Sequence, residues 1–175
     1  MNNAIQYIIM HCSRNDEKWI SMALSEAEKS NMPMRHGCLA VSGGKIVAKG
    51  YNSYRTYSRD GMIRNTCSCH AEIDVLRKCL KKEKNKLSLY IVRVSSEGIL
   101  RNSSPCHMCI SVMKYFPIKR IIFSTDDGIT KCKLSEYTNT FHTSGDRAIR
   151  ENRANYYKTN TFSYYNDNKI YTTLI

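Results

Sequence analysis

The stretch Leu87–Val94, LSLYIVRV, constrains this chain more than any other part of it. Leu87, Leu89 and Ile91 alternate with Tyr90, Val92 and Val94, so a strand here is apolar on both faces. Such a strand belongs in the interior of a sheet that is covered on both sides. The next two segments narrow the choice further. Residues 106–116 read as a helix opened by Pro105 and stopped before Pro117, because proline suits a helix start and cannot continue one. Residues 119–125, KRIIFST, read as a second strand. A strand joined through a helix to another strand favours a parallel pair with a right-handed crossover. The expectation is an α/β chain: a central mixed sheet with helices on both faces.

The flanking sequence fits that frame. Within residues 16–29, Trp19, Ile20, Ala23, Leu24 and Ala27 recur at helical spacing, with Ser13 or Asp16 available as the cap and Pro33 beyond the end. Two short apolar runs then flank Gly43-Gly44, a hairpin signal. A basic, tyrosine-rich loop covers residues 51–66. A second helix is expected over 70–81, with Ile73, Leu76 and Leu80 as its apolar stripe. Asp126-Asp127-Gly128 reads as a turn, and the pattern weakens beyond Thr130. Residues 1–150 are therefore taken as one domain. Residues 151–175, rich in Asn, Tyr, Thr and Lys, are taken as an extension that forms a hairpin, a helix or a surface-hugging segment.

The chain of 175 residues has no apolar run near the roughly 20 residues that span a bilayer. Its start has no basic segment or small-residue cleavage site of the signal-peptide kind. The expectation is an intracellular protein, cytoplasmic or nuclear, neither secreted nor membrane-bound. The eight cysteines include the local pairs Cys67/Cys69 and Cys106/Cys109 near histidines, which in such a protein read as metal ligands or free thiols rather than bridges. The 27 Lys and Arg against 15 Asp and Glu give a net charge of +12. That surplus suits a phosphorylated or polyanionic partner, and equally a merely soluble basic surface.

The chemistry sits in His70-Ala71-Glu72 and Pro105-Cys106-His107-Met108-Cys109. Zinc takes imidazole nitrogen and thiolate sulfur, and its catalytic sites pair three protein ligands with a water. Cysteines three apart in the first turn of a helix project the same way, and the positive end of the helix favours thiolate. His70, opening another helix, supplies the third ligand if the two helix starts meet. Glu72, two residues on, reaches the water without taking a coordination position. Zinc lowers the pKa of that water towards about 7, and a carboxylate beside it serves as general base and then general acid. A purely structural zinc normally has four protein ligands and needs no such carboxylate.

His-x-Glu followed by Pro-Cys-x-x-Cys matches the signature of zinc-dependent nucleobase deaminases. Through CHAEIDVLRK and SSPCHMCISVMKYF the chain resembles the cytidine and deoxycytidylate deaminase superfamily, from the first helix to about Thr125. The resemblance implies the three-layer cytidine-deaminase-like fold, Zn2+ on His70, Cys106 and Cys109, and Glu72 as the catalytic proton carrier. It also implies a homo-oligomer, since members are often dimers, tetramers or hexamers. The hairpin ending in Gly50-Tyr51-Asn52 resembles the family strand pair that ends in a substrate-contacting asparagine, which gives that role to Asn52. Ala71, Ser104 and Arg55 complete the candidate substrate-binding set. The excursion SSEGILRNSS before Pro105, the long loop before His70 and the C-terminal third depart from the family pattern.

The leading expectation is hydrolytic conversion of cytosine to uracil in a nucleotide, deoxycytidylate-like, or in nucleic acid, with release of ammonia. The alternatives are adenosine deamination in tRNA or other RNA, and a catalytically silent deaminase-like subunit that binds nucleic acid. Cys67 and Cys69 could join His11, Cys12, His36 or Cys38 in a second zinc site; free thiols are the preferred reading. Arg55, Tyr57, Arg59 and Arg64 intersperse charge with rings, as a loop that holds phosphate and stacks a base would, or as any solvated loop does. Residues 142–147 read as a polar turn able to cover the pocket.

Overall fold

The structure is a computed structural model that describes residues 13–80, 86–154, 162–166 and 169–173. Helix α1 spans Arg14–Ala27. Ser13 caps it: its hydroxyl accepts from the Asp16 backbone N–H at 3.2 Å and donates to Asp16 Oδ2 at 2.8 Å, which satisfies one of the free N–H groups of the first turn. Strands β1, Arg35–Ser42, and β2, Lys45–Tyr51, form the expected antiparallel hairpin. Gly43 and Gly44 turn it with φ of +53° and +73°, the pair of positive values that suits a tight hairpin.

Helix α2, Ala71–Cys79, leads to β3, Leu87–Val94. Between β3 and the next helix the excursion is a small hairpin. Its β4, Leu100–Arg101, folds back on Arg93 and Val94 through a turn at Gly98, whose φ is +78°. Helix α3, His107–Met113, then crosses to β5, Ile118–Thr125, which pairs parallel to β3 as expected. Strand β6, Gly128–Lys133, comes last in a main sheet ordered β2-β1-β3-β5-β6, with β4 on the end of β3.

Strand β3 is central, and its two faces serve two cores. Leu87, Leu89 and Ile91 pack with α2 and α3 residues, among them Val75, Leu76, Cys109 and Met113. Tyr90, Val92 and Val94 pack with Trp19, Ile20, Ala23 and Ala27 of α1. The three-layer α/β/α arrangement read from the alternation is thus the one observed. Gly37 sets how closely α1 approaches: a Cβ there would lie 2.0 Å from the Ala23 carbonyl oxygen and 2.4 Å from the Ala27 nitrogen.

Three features lie beyond the sequence reading. Strand β6 extends the sheet antiparallel to β5 and ends in a 3-10 turn at Leu134–Glu136. Residues 142–147, read as a polar turn, instead contribute to helix α4, Ser144–Arg150, capped by Thr143, whose hydroxyl accepts from Asp146 N–H. The basic loop is also partly core: Met62 and Ile63 are buried, Ser58 holds Ile63, and Arg77 of α2 grips Asp60 at 2.7–3.0 Å. Within the tail, β7, Phe162–Asn166, pairs antiparallel with β8, Lys169–Thr173.

Candidate metal centre

Two helix starts meet on the α2/α3 side of the sheet. His70 is the N-cap of α2 and Cys106 the N-cap of α3, both with extended backbone. Cys109, in the first turn of α3, is fully buried. His70 Nδ1 lies 3.1 Å from Cys109 Sγ and 3.5 Å from Cys106 Sγ, and the ligand atoms of the three residues all fall within 4.8 Å of one another. Tetrahedral zinc with its usual bond lengths would hold N and S about 3.6 Å apart. The donor set and spacing therefore fit zinc, and three protein donors leave a coordination position for water.

Electrostatics prepare the cluster. The Cys106 thiol is pulled down to about 4, chiefly by its hydrogen bond with Cys109, with His70 adding to the effect against the opposing cost of burial. Burial pushes the Cys109 thiol well up, reinforced by Cys106 and Glu72. Burial opposes a charged His70, but its hydrogen bond with Cys106 and the charges of Cys106, Glu72 and Asp146 outweigh that and raise it. The cluster thus already stabilises a thiolate, the form zinc takes up.

Glu72 stands in the first turn of α2 and is only 5% exposed. Its carboxylate interacts with the Cys109 side chain, and burial raises its pKa above the ordinary value, against the opposing pull of His70. A buried carboxyl of raised pKa next to three zinc-type donors is suited to accept a proton and return it.

The remaining candidates fall at different distances from this centre. Ala71, wholly buried, separates His70 from Glu72. Ser104, half-buried two residues before Cys106, interacts with the hydroxyl of Tyr137. Its neighbour Ser103 is structural, tying β3 to β5 through the Ile91 carbonyl at 2.8 Å and Ser124 Oγ at 2.9 Å. Asn52 is buried, and its amide stitches the end of β2 to the start of β1: Oδ1 accepts from His36 N–H at 2.8 Å and Nδ2 donates to the Met34 carbonyl at 2.6 Å. Arg55 is exposed and donates through Nε to the Tyr57 carbonyl at 2.7 Å.

Residues 137–147 also wrap this centre; the sequence reading places only 142–147 near the pocket, and the approach of 137–141 has no signal in the local pattern. The His107 N–H donates to the Phe141 carbonyl at 3.0 Å, and Asn139 Nδ2 donates to the Pro105 carbonyl at 3.0 Å. The His142 ring, hydrogen-bonded to Asp146, stacks near His107 with centroids 4.9 Å apart. His107 therefore faces this segment, consistent with its being no ligand. The Thr143-x-x-Asp146 cap is the available signal for α4.

Among the described residues, the His70–Cys106–Cys109 group is the one cluster of three or more metal-type side chains. Cys69 is buried with its thiol raised to about 12, mainly by burial, and Cys67 is exposed with Sγ 3.6 Å from the Gly145 carbonyl. His11 and Cys12 lie outside the described residues.

Residues 13–125 match the family described as the cytidine and deoxycytidylate deaminase zinc-binding region. The chain belongs to this family. Its cofactor is zinc, which the donor cluster accommodates. No curated protein matches the sequence. Among solved structures, the cytidine deaminase of Burkholderia pseudomallei superposes with a TM-score of 0.51 at 14% identity, covering 74% of this chain and 100% of that one. The dCMP deaminase of cyanophage S-TIM5 gives 0.48 at 23% identity in its apo form, over 63% and 82% of the two chains. Its complex with dCMP and dUMP gives 0.49 at 22% identity, over 65% and 83%. At these identities the likeness to the first of the three speaks for the fold. No helix among the described residues is long and apolar enough to cross a membrane.

Proposed function

We propose that this protein hydrolyses the exocyclic amine of a cytosine base carried in a nucleotide or nucleic acid, giving uracil and ammonia. The observation that carries the reading is the buried Glu72 carboxyl set against a three-donor cluster. A structural zinc site would favour a fourth protein ligand and would not need that carboxyl. A silent subunit would have no use for it either.

In this reading His70, Cys106 and Cys109 hold the metal. Zinc, when bound, supplies Lewis acidity that makes a nucleophile of water near neutral pH. Glu72 would take a proton from the attacking water and deliver it to ring N3 as the C4–O bond forms. It then carries the second proton to the departing amine, so that cytosine and water become uracil and ammonia. Ala71 and Ser104 flank the base, and Arg55 lies on the loop that would meet a phosphate. Asn52 braces β1 against β2 from the end of the hairpin, and a substrate contact would come from the same amide.

Zinc-loaded protein incubated in parallel with cytidine, deoxycytidylate, single-stranded DNA and tRNA, with ammonia and the converted base measured, tests the proposal. Uracil from a cytosine substrate supports it. Inosine in tRNA with no uracil would transfer the site to adenosine chemistry, and no ammonia from any of the four would overturn the reading.

A further inference from the structure

A second concave feature lies on the opposite side of the sheet from the metal centre. It is a cleft of about 300 Å3 between the start of α1, the Gly43-Gly44 turn and the first residues of β3 and β5. The zinc-type cluster belongs to the α2/α3 side, whereas this cleft is bounded by Trp19 of α1 and by Tyr90, whose ring packs with α1. The sheet itself stands between the two.

The lining is unbalanced in charge. Lys86, Arg120 and Lys131 reach it, and Asp16 is the one carboxylate among the lining residues. That carboxylate is already engaged: it accepts from Tyr90 Oη at 2.7 Å, from Lys131 Nζ at 2.8 Å and from the Ser13 hydroxyl at 2.8 Å. Arg120 is held in place by the hydrogen bond from its Nε to Ser88 Oγ at 2.9 Å. A guanidinium fixed in this way loses little freedom when it meets an anion, and its planar fork matches phosphate oxygens. The positive end of α1, 14 residues long, adds to the same field. Trp19, one face of which is covered by Lys18 Nζ at 4.7 Å from the ring centroid, and Val41 supply apolar surface to the lining. The volume is at the lower limit of small-molecule sites.

We propose that this cleft is a second binding site, for a phosphorylated small molecule whose phosphate meets Arg120 and Lys86 and whose carbon or ring portion lies against Trp19. It is separate from the metal centre, and binding there does not compete directly with substrate.

Trp19 is the single tryptophan of the chain, so its fluorescence reports on this cleft. Zinc-loaded protein is titrated with inorganic pyrophosphate, and separately with a nucleoside monophosphate, while that fluorescence is read. A saturable change is expected with both. Arg120→Gln and Lys86→Gln should each weaken binding by about tenfold or more, the loss expected for one charge-assisted contact. Lys86 is exposed, so its variant keeps the fold, and ammonia release by either variant should match the unaltered protein. Arg55→Gln, on the far loop, should leave the titration unchanged. The proposal is overturned by the absence of a saturable change at millimolar pyrophosphate, or by equal affinity in the Arg120→Gln/Lys86→Gln double variant. It is also overturned if a single-stranded oligonucleotide produces the change at far lower concentration than either small probe, since the cleft would then belong to a polyanion track.

Discussion

Replacing Glu72 by Gln separates proton transfer from metal binding and from folding. The substitution keeps length, shape and one carbonyl acceptor, so the packing of α2 against β3 is untouched. It removes the carboxyl placed to move protons beside the donor cluster. General acid–base catalysis accounts for roughly 10²–10⁴ in rate, or about 2.7–5.4 kcal/mol of barrier at 1.36 kcal/mol per decade. Glu72 serves two transfers in the proposed reaction, so the loss belongs at the upper end. Stability should not fall with it. The carboxyl is 5% exposed and burial raises its pKa, which means that folding holds an acid in a place that disfavours its charge. A neutral amide relieves that cost, and the metal-free variant should melt at the same temperature as the parent or slightly above. Zinc content should stay unchanged, because His70, Cys106 and Cys109 make the cluster without Glu72. Single-turnover ammonia release, metal analysis and a thermal melt measure the three quantities. A Gln variant within tenfold of normal turnover would show that another base moves the protons. A variant emptied of zinc would make Glu72 part of the coordination set.

Other perturbations test the frame around that site. Cys106→Ala and Cys109→Ala should each lower zinc from about one per chain, the stoichiometry of a single three-ligand site, and strong chelation should lower the melting temperature of the parent; undiminished zinc in both variants would end the assignment. Gly37→Ala drives a methyl into the backbone of α1 at 2.0 Å and should cost about 3 kcal/mol in urea unfolding, the upper part of the overpacking range; a loss below about 1 kcal/mol would mean that α1 can move away from β1. Tyr90→Phe removes the buried hydrogen bond to Asp16 and should cost about 1.5–3 kcal/mol, as for a bond to a charged group. Its pH dependence has a definite sign. Burial alone would raise the Asp16 carboxyl, but hydrogen bonds from Lys131, Tyr90 and Ser13 hold it below its ordinary 3.8, so its contribution is full above that value and is lost as pH falls through the lower folded one. Without Tyr90 the loss should begin at higher pH, and superimposable acid-unfolding curves would refute the coupling.

How much of the fold and the site is legible in the sequence depends on how local each signal is. His70, Glu72, Cys106 and Cys109 are readable because metal donors and a proton carrier must sit at fixed spacings on helix starts, and a spacing is a sequence property. The central position of β3 is readable because its two apolar faces are written in alternate residues. β6 is not, since a short edge strand reading GITKCK carries little hydrophobic period and owes its place to β5. Met62 and Ile63 sit in a stretch otherwise basic and polar, and contact with elements distant in sequence buries them. Asn52 illustrates a different limit: its position at the end of the hairpin is readable, but the engagement of its amide with the Met34 carbonyl and the His36 N–H is not.

The segment after β6 shows why a family motif gives the centre of such a site and not its rim. The donors must be close to one another whatever the substrate, so their spacing is fixed by the chemistry of one metal ion. The rim is held by backbone instead. Phe141 and Asn139 meet His107 and Pro105 through main-chain atoms on one or both sides, and backbone atoms leave no signature in residue identity. The polar stretch 142–147 hints at a cover for the pocket and the Thr143–Asp146 cap marks a helix start, but neither says what the helix packs on. Asp146 nevertheless acts on the centre, since its charge helps to raise His70. Residues that tune the metal cluster can therefore lie some 75 positions from His70, outside the matched region 13–125, where the pattern of the motif has no reach.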